Sequence, residues 1–405
     1  MVIIGIIGGG ASGMAAALAA SENPNVRVIL LERQGRVGRK LLATGNGRCN
    51  LTNLHAQVSA YHGQEPNFVR YALSQFGADE TIQWFRRMGL YTVAEASGRV
   101  YPYSDQANSV VDILRLNLQR PNVELRTGFE IEKIRKEQDR FVISSREENF
   151  LCDRVIVACG GLAGSKLGGT MSGYKLLAKL GHKSTRLRPA LVQVKSSWNA
   201  LPGLKGVRAE CRAKIFHDDL LFAESRGELQ FTEYGLSGPV VFEISRDVCN
   251  GSGKWLCKLD VLPDWTVAEL NRELQRRKQF DLPVQELLTG ILHNRLGRVL
   301  TQAVGVNLGG ACAELTDMDI DAVCAAVKGF EIPLTEPLGM DSAQVTAGGV
   351  VTDQFDSHTM ESRLIPGLYA CGEVLDIDGD CGGYNLQWAW SSGRLAGLSA
   401  GKEQV

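Results

Sequence analysis

Apolar residues change their spacing several times along this chain, and each change marks an element or a boundary. Val2-Ile3-Ile4-Gly5-Ile6-Ile7 runs without alternation, as a strand buried on both faces does, and stops at Gly8-Gly9-Gly10. Ala11–Ala20 consists of strong helix formers, and Val26–Glu32 is a second apolar run that ends on an acid. The pattern predicts strand, helix and strand in immediate succession. Helical spacing returns near Phe68–Phe76 and Asp79–Met88, a hairpin region is expected near Val123–Ile143, and Arg154–Gly161 is a further buried strand stopped by a glycine pair. From about Pro189, short alternating segments such as Ala213–Phe216 and Val240–Ile244 are broken by glycine and proline, which predicts strands. Between Thr266 and about Phe330 the period is helical, anchored by Val267–Leu270, Val284–Leu288 and Asp319–Val323. Ala347–Val351 returns the chain to the first pattern. The expected division is an α/β domain in two parts, 1–188 and 344–405, interrupted by a β-rich domain at 189–263 with 331–343 and a small helical domain at 264–330.

Composition narrows the class. With 405 residues, 44% apolar and 22% charged, the chain can bury a large core, which excludes a disordered protein or a small disulfide-stapled scaffold. A formal net charge of −1 gives no global attraction for polyanions. Lys183 to Lys214 is the local exception, with eight basic residues against the single acid Glu210. Such a stripe can track phosphates, so ribosomal RNA is a candidate partner, and solvated strand faces are the structural alternative. Ten cysteines without CxxC spacing give no expectation of a metal site. Met1–Ile7 is too short for a signal h-region and no apolar run reaches about 18 residues, so a cytoplasmic protein without membrane spans is expected.

Glycine is the compositional excess, 45 residues, and its clusters carry the chemistry. Gly8, Gly10 and Gly13 form GxGxxG between the first strand and helix. The first permits the turn, the second lets backbone N–H groups reach a pyrophosphate, and the third allows close helix packing. Ala11 and Ser12 belong to the same helix N-terminus. Glu32, at the end of the second strand, is placed to accept the hydroxyls of an adenosine ribose, with Arg33 beside it, and an acid there disfavours a 2′-phosphate. Ala158, Gly160 and Gly161 close the later strand in a form similar to the ATGG element of two-dinucleotide-fold flavoproteins. Ile365–Glu373 resembles the second FAD fingerprint of the glutathione reductase class, with Gly372 followed by Glu373 where Asp is more usual. A cofactor that meets both ends of the chain must be long, which fits FAD and not NAD alone. Gly382-Gly383 then opens a helix through Tyr384 and Asn385, whose N-terminal N–H groups suit a negative charge. Trp388 and Trp390 in it read as core packing.

At this point the resemblance becomes specific. Gly35–Asn53, with GRKLLATGNGRCNLTN in it, and the GGYNLQWAWSSG run are similar to the BaiN/YhiN-like family of FAD-dependent oxidoreductases, also labelled aminoacetone-oxidase-like. Gly227–Pro239 resembles the family's FTHxGLSGP element, with Glu233-Tyr234 where a histidine is common, so no role of that histidine transfers. The resemblance implies a glutathione-reductase-type FAD domain interrupted by the β-rich and helical domains. It places Gly38, Arg39, Lys40, Leu41, Thr44, Gly45, Gly47, Arg48, Cys49 and Asn50 beside the cofactor, together with Ile131. The family's activities differ: reduction of an enone or dienone in 3-oxo bile acids, reduction of a ribosomal RNA uridine to dihydrouridine, and oxidation of small amines such as aminoacetone.

A flavin that reduces a polarised double bond needs an acid to protonate the neighbouring carbon. Cys49, Tyr384 and Tyr103 are the candidate catalytic residues, with Cys381 and Tyr101 also plausible, and Arg99–Ser104 is a candidate pocket wall. For Cys49 the structural alternative is a buried thiol packed under the cofactor; for Tyr384 it is a cap on the flavin helix. Arg39, Lys40 and Arg48 are expected to offset pyrophosphate or flavin charge. No second GxGxxG follows a strand, and Asn307–Gly310 and Gly251–Gly253 lack the strand–helix–strand context. NAD(P)H, where it is the reductant, is therefore expected to dock transiently over the flavin, and an oxidase would need no nicotinamide. A NAD(P)H-driven reduction of a conjugated C=C bond in a small molecule is the preferred expectation.

Overall fold

The computed structural model describes residues 1–246, 248 and 253–402, so Gly251 and Ser252 of the Gly251–Gly253 segment lie outside it. The chain divides into two units, Met1–Pro189 with Gln344–Val405, and Ala190–Ala343.

Val2–Ile7 (β1) has no alternation because it is the central strand of a five-stranded parallel sheet. Ala11–Ala20 (α1) leads to Val26–Glu32 (β2), which pairs with β1 so that Ile6 lies opposite Leu30. Val123–Thr127 (β3) is the edge strand beyond β2, and Arg154–Val157 (β4) and Leu368–Ala370 (β5) complete the order β5-β4-β1-β2-β3. The hairpin expected near Val123–Ile143 is therefore confined to Lys133–Glu137 and Arg140–Ser144, which join Asn149–Cys152 in an antiparallel meander. Val123–Thr127 pairs in parallel with a strand about a hundred residues earlier, a contact that no local pattern announces. The meander packs close to β1 at Gly5, where a Cβ would lie 2.8 Å from the Cys152 sulfur.

The last helix, Tyr384–Gly401 (α2), lies along α1. Gly393 faces the Ser12 backbone, Gly397 faces that of Ala16, and Gly401 faces that of Ala20, so the two helices touch backbone to backbone at a repeat of four. A Cβ at Gly393 or Gly397 would fall inside the van der Waals radius of the Ser12 or Ala16 carbonyl oxygen. Trp388 and Trp390 are buried as expected, and their indole N–H groups donate to the Gly372 carbonyl at 3.2 Å and the Leu51 carbonyl at 2.9 Å. The core thus takes their bulk and satisfies their polar edge.

In the second unit, six strands close into a barrel in the order Val194–Ser196, Gly235–Ser237, Leu220–Phe231, Arg208–His217, Trp255–Asp260 and Phe330–Pro337. Closure comes from Val194 standing opposite Pro337, and it leaves no open sheet edge. Cys211, Ala213, Ile215, Leu229, Phe231, Cys257 and Leu259 alternate into its core. Helices Val267–Arg277 and Asp317–Gly329 both begin at capping boxes, Thr266 with Glu269 and Thr316 with Asp319. Val240–Ile244, expected as a strand, belongs to the helix Pro239–Ile244. Pro239 at its first turn has no N–H to lose, and the Gly238 carbonyl accepts from Val241 and Phe242 at 3.0 Å. Four apolar residues with one acid cannot separate a short helix from a strand by period alone. No helix among the described residues is long and apolar enough to cross a membrane.

Replacing Gly397 by Val forces the helix pair apart. The expected cost is about 3 kcal/mol or more, read as a lower denaturant midpoint with an unchanged slope.

Candidate functional site

The glycine turn after β1 is shaped by close approach. A Cβ at Gly13 would collide with the Gly8 carbonyl oxygen, whereas Gly10 has no atom within 4 Å of that position and leaves the α1 N-terminus open. No side chain caps this helix, so its first N–H groups, through Ala11 and Ser12, face the same opening. Glu32 at the end of β2 is buried and ties the turn down, accepting from Gly9 N–H and Gln34 N–H at 2.7 Å each. A carboxylate offers about four acceptor positions, so both oxygens retain capacity for ribose hydroxyls. Arg33 donates to the Gly168 carbonyl at 2.9 Å.

The other side of the opening comes from distant sequence. Ala158 meets the Gly8 turn, and Gly160, at φ 71°, has empty space where a side chain would be. Gly161 faces the Glu373 carboxylate, and Gly372 faces the Ser12 side chain. Glu373 accepts from Thr346 N–H at 2.9 Å and from Lys40 at 2.8 Å, so an acid after β5 is joined to a base of the Gly35–Asn53 loop. That loop is anchored by Gly38 N–H donating to the Gly9 carbonyl at 2.9 Å. Leu41 is buried, and its carbonyl accepts from the Thr44 hydroxyl at 2.7 Å. Gly45, Asn46, Gly47 and Cys49 all adopt positive φ, a tight coil that brings Asn50 back under the loop.

At the far end, Gly383 at φ 103° begins α2 against the Thr52 backbone, with a would-be Cβ 2.8 Å from Asn50 Oδ1. That oxygen is buried and has no hydrogen-bond partner. An orphaned acceptor beside a helix N-terminus is able to accept from a ligand N–H. The Gly382 carbonyl accepts from Asn53 at 2.9 Å. Asn385 turns inward instead, exchanging hydrogen bonds of 2.8 and 2.7 Å with the Gly379 backbone, which fixes the loop before α2. The open glycine faces, the spare capacity of Glu32, the Lys40 charge and the orphaned Asn50 oxygen fit a dinucleotide that carries a hydrogen-bonding ring system. They would hold FAD from its ribose at Glu32 to its flavin at Gly383.

The candidate proton donors are in different surroundings. Cys49 is 0% exposed, and burial pushes its thiol up to about 12, opposed by a hydrogen bond from Thr44. Tyr384 is half-buried at the first position of α2; its carbonyl accepts from the Tyr61 hydroxyl at 3.0 Å and the two rings meet edge to face. Tyr103 is 78% exposed. Tyr101 is buried beneath the Arg48 guanidinium, 3.9 Å from its ring centre; burial first, then Glu95, raises its phenol. Arg48 is held by Asp105 and by Glu95 at 3.0 Å, Arg39 by Gln34 at 2.9 Å, and Ile131 is packed in the core. A His62–Asp380 contact of 2.7 Å near Tyr61 has no signature in the sequence, since 318 residues separate the partners.

Five of the eight cations of the basic stretch have carboxylate partners. Lys195 pairs with Glu336 and Lys205 with Glu233 at 2.7 Å, Arg208 with Glu228 at 3.5 Å, and Arg212 and Lys214 both with Glu224 at 3.6 Å. Acids from neighbouring strands offset the charge counted along the sequence.

The model of the HI0933-like protein Rossmann domain matches residues 2–399. The chain belongs to the HI0933-like family. It is 41% identical to a 3-dehydro-bile acid delta(4,6)-reductase of Clostridium scindens over 98% of each chain, and 32% identical to a ribosomal RNA dihydrouridine synthase of Escherichia coli over 96% of this chain and 95% of the other. A 3-ketosteroid delta1-dehydrogenase structure from Sterolibacterium denitrificans covers 99% of this chain and all of its own, at TM-score 0.54 and 12% identity, which shows a shared fold. This HI0933-like chain is an FAD-dependent oxidoreductase with a Rossmann-type α/β domain and a β-rich insertion.

Removing the Glu32 carboxylate (Glu32→Ala) takes away the turn's charged acceptor. FAD affinity is expected to fall about tenfold to a hundredfold, measured by fluorescence titration of the apoprotein. Because burial raises the Cys49 thiol, its proton stabilises the native state below about pH 9 and that contribution is lost as pH rises toward about 12. Iodoacetamide at pH 8 should therefore leave Cys49 unmodified in the native protein, as read by mass spectrometry.

Proposed function

We propose that the protein reduces a conjugated carbon–carbon double bond in a polycyclic 3-oxo compound of the bile acid or steroid type, with NAD(P)H as the electron source. The observation that carries this reading is the end-to-end 41% identity to the 3-dehydro-bile acid delta(4,6)-reductase. When bound, FAD supplies hydride transfer to the substrate carbon. The chain's task is to hold the substrate, exclude water and deliver a proton.

For that proton we assign Tyr384. It combines partial access with a fixed backbone, because Tyr61 holds its carbonyl and Gly383 sets the start of the helix. Cys49 is fully enclosed and keeps its proton up to about pH 12, which suits a wall of the flavin pocket that carries no charge. Tyr103 stands too exposed to protonate a carbon under exclusion of water. NAD(P)H has no second glycine fingerprint to receive it and docks transiently over the flavin.

A second reading, reduction of a ribosomal RNA uridine, is favoured by the 32% identity to the dihydrouridine synthase. The pairing of Lys195, Lys205, Arg208, Arg212 and Lys214 with carboxylates argues against it, since counterion release needs cations free to meet phosphates.

The test is anaerobic stopped-flow spectroscopy of the purified holoenzyme with NADH or NADPH, followed by a 3-oxo-Δ4 steroid, a uridine-containing ribosomal RNA or aminoacetone. Bleaching by the nicotinamide and recovery with the steroid is the expected result. Recovery with RNA alone establishes the second reading, and bleaching by aminoacetone alone makes the protein an amine oxidase. Tyr384→Phe should slow recovery with the steroid by about a hundredfold or more, with the rate of bleaching by nicotinamide preserved.

A further inference from the structure

A small antiparallel sheet, Thr52–Asn53, Arg99–Pro102 and Thr92–Ala94, stands beside the start of α2. Its register sorts the side chains into two faces. Val100, opposite Thr52 and Ala94, belongs to one face with Pro102, and Thr52, Val100 and Pro102 are buried there. Asn53 opposite Arg99, and Val93 opposite Tyr101, share the other. Alternation carries that face on to Tyr103 and Tyr91, whose backbones are joined by Tyr103 N–H donating to the Tyr91 carbonyl at 2.8 Å.

The second face changes character along its length. Its inner end meets the cofactor opening, for Asn53 donates to the Gly382 carbonyl and the Arg99 guanidinium would lie 3.0 Å from a Cβ on Gly382. Tyr101 is buried beneath Arg48. Beyond it the face is open and apolar, with Val93 45%, Tyr91 64% and Tyr103 78% exposed. From Arg99 to Tyr103 is about 13 Å along the strand. At the outer end the Arg86 guanidinium lies 5.8 Å from the Tyr91 ring centre. Among the described residues no carboxylate lies within ion-pair distance of Arg86 or Arg99, whereas Arg48 is held by two.

We propose that this face is the recognition track for the substrate, a flat polycyclic 3-oxo enone that carries an acidic side chain. Arg99 at the inner end meets the carbonyl, Val93, Tyr103 and Tyr91 carry the fused rings, and Arg86 meets the acid. Along the face come Arg99, then Tyr101 covered by Arg48 and its carboxylates Glu95 and Asp105, then the exposed Val93, Tyr103 and Tyr91, and last the Arg86 cation, an order that matches a long rigid molecule polar at both ends. The inference rests on the enone-reductase reading and names the residues that select among enones.

The test titrates the holoenzyme with a saturated 3-oxo bile acid, which cannot be reduced at a C=C bond, and with a neutral steroid ketone of the same ring system, reading the flavin absorbance change. Val93→Asp and Tyr103→Ala are expected to raise Kd for both ligands about tenfold, through lost apolar contact. Tyr103→Phe should stay within about twofold of wild type, because the ring rather than the hydroxyl is used. Arg86→Gln should raise Kd about threefold for the acid and leave the neutral ketone unaffected, and should flatten the salt dependence of acid binding. These are exposed positions, and FAD content checks the fold. Wild-type affinity in Val93→Asp, Tyr103→Ala and Arg86→Gln overturns the track while steroid turnover by the wild-type enzyme still supports the reductase reading. Absence of both binding and turnover in the wild-type enzyme overturns both.

Discussion

Backbone contact between α1 and α2 sets the dimensions of the site. Because Gly393, Gly397 and Gly401 meet Ser12, Ala16 and Ala20 in the same sequence direction, the helices run parallel and their N-termini point the same way. α1 begins one residue before its first contact and α2 begins nine before, so the α2 N-terminus stands about 12 Å further along at 1.5 Å per residue. Two electropositive helix ends, staggered by that length, would suit the pyrophosphate and the flavin of one long cofactor. Side chains on either stripe would widen the helix spacing, and a slip of one turn would move the flavin end by about 5 Å relative to the pyrophosphate end.

The remaining contacts hold the Gly35–Asn53 loop to that pair. Gly9 receives Gly38, Lys40 reaches Glu373, and Thr52 and Asn50 abut Gly383, so one loop touches the α1 turn, the residue after β5 and the head of α2. Thr52 also bonds Gln387 at 2.5 Å, and Gln387 continues to the Phe76 carbonyl at 2.9 Å and to Ser391 at 2.8 Å. This buried polar chain fixes which way the first turns of α2 face. Beside this chain the Asn50 oxygen lacks a partner and, next to Gly383 at the head of α2, could accept from a ligand N–H.

What was legible in the sequence was what is local. β1, α1 and β2 follow one another within 32 residues, and their glycine turn and terminal acid have fixed spacing, so pattern sufficed. The head of α2 was legible for the same reason. The stripe Gly393, Gly397, Gly401 was visible as a period of four, but its partner helix lies near the other end of the chain, and no rule of spacing names a partner. Val240–Ile244 misled because Pro239 reads equally as a strand breaker and as a first helical residue. Counting charge along Lys183–Lys214 could not show that five of its eight cations have carboxylate partners, several of them brought close by strand register. His62 and Asp380 likewise become a pair only when Tyr61–His62 and Asp378–Gly379 align.

The same division separates cofactor from substrate. Several residues proposed to touch FAD stand where a changed side chain meets backbone at once, among them Gly8, Gly13 and Gly383. On the sheet that carries Val93 and Tyr103, Asn53 and Arg99 abut Gly382 just before α2, whereas the outer positions Val93, Tyr91 and Tyr103 are exposed. The relatives of this chain include a 3-dehydro-bile acid delta(4,6)-reductase and a ribosomal RNA dihydrouridine synthase, so one fold carries different activities. In this chain the paired helices would fix where the hydride carrier sits, and the exposed end of the three-stranded sheet is the surface proposed to meet the substrate.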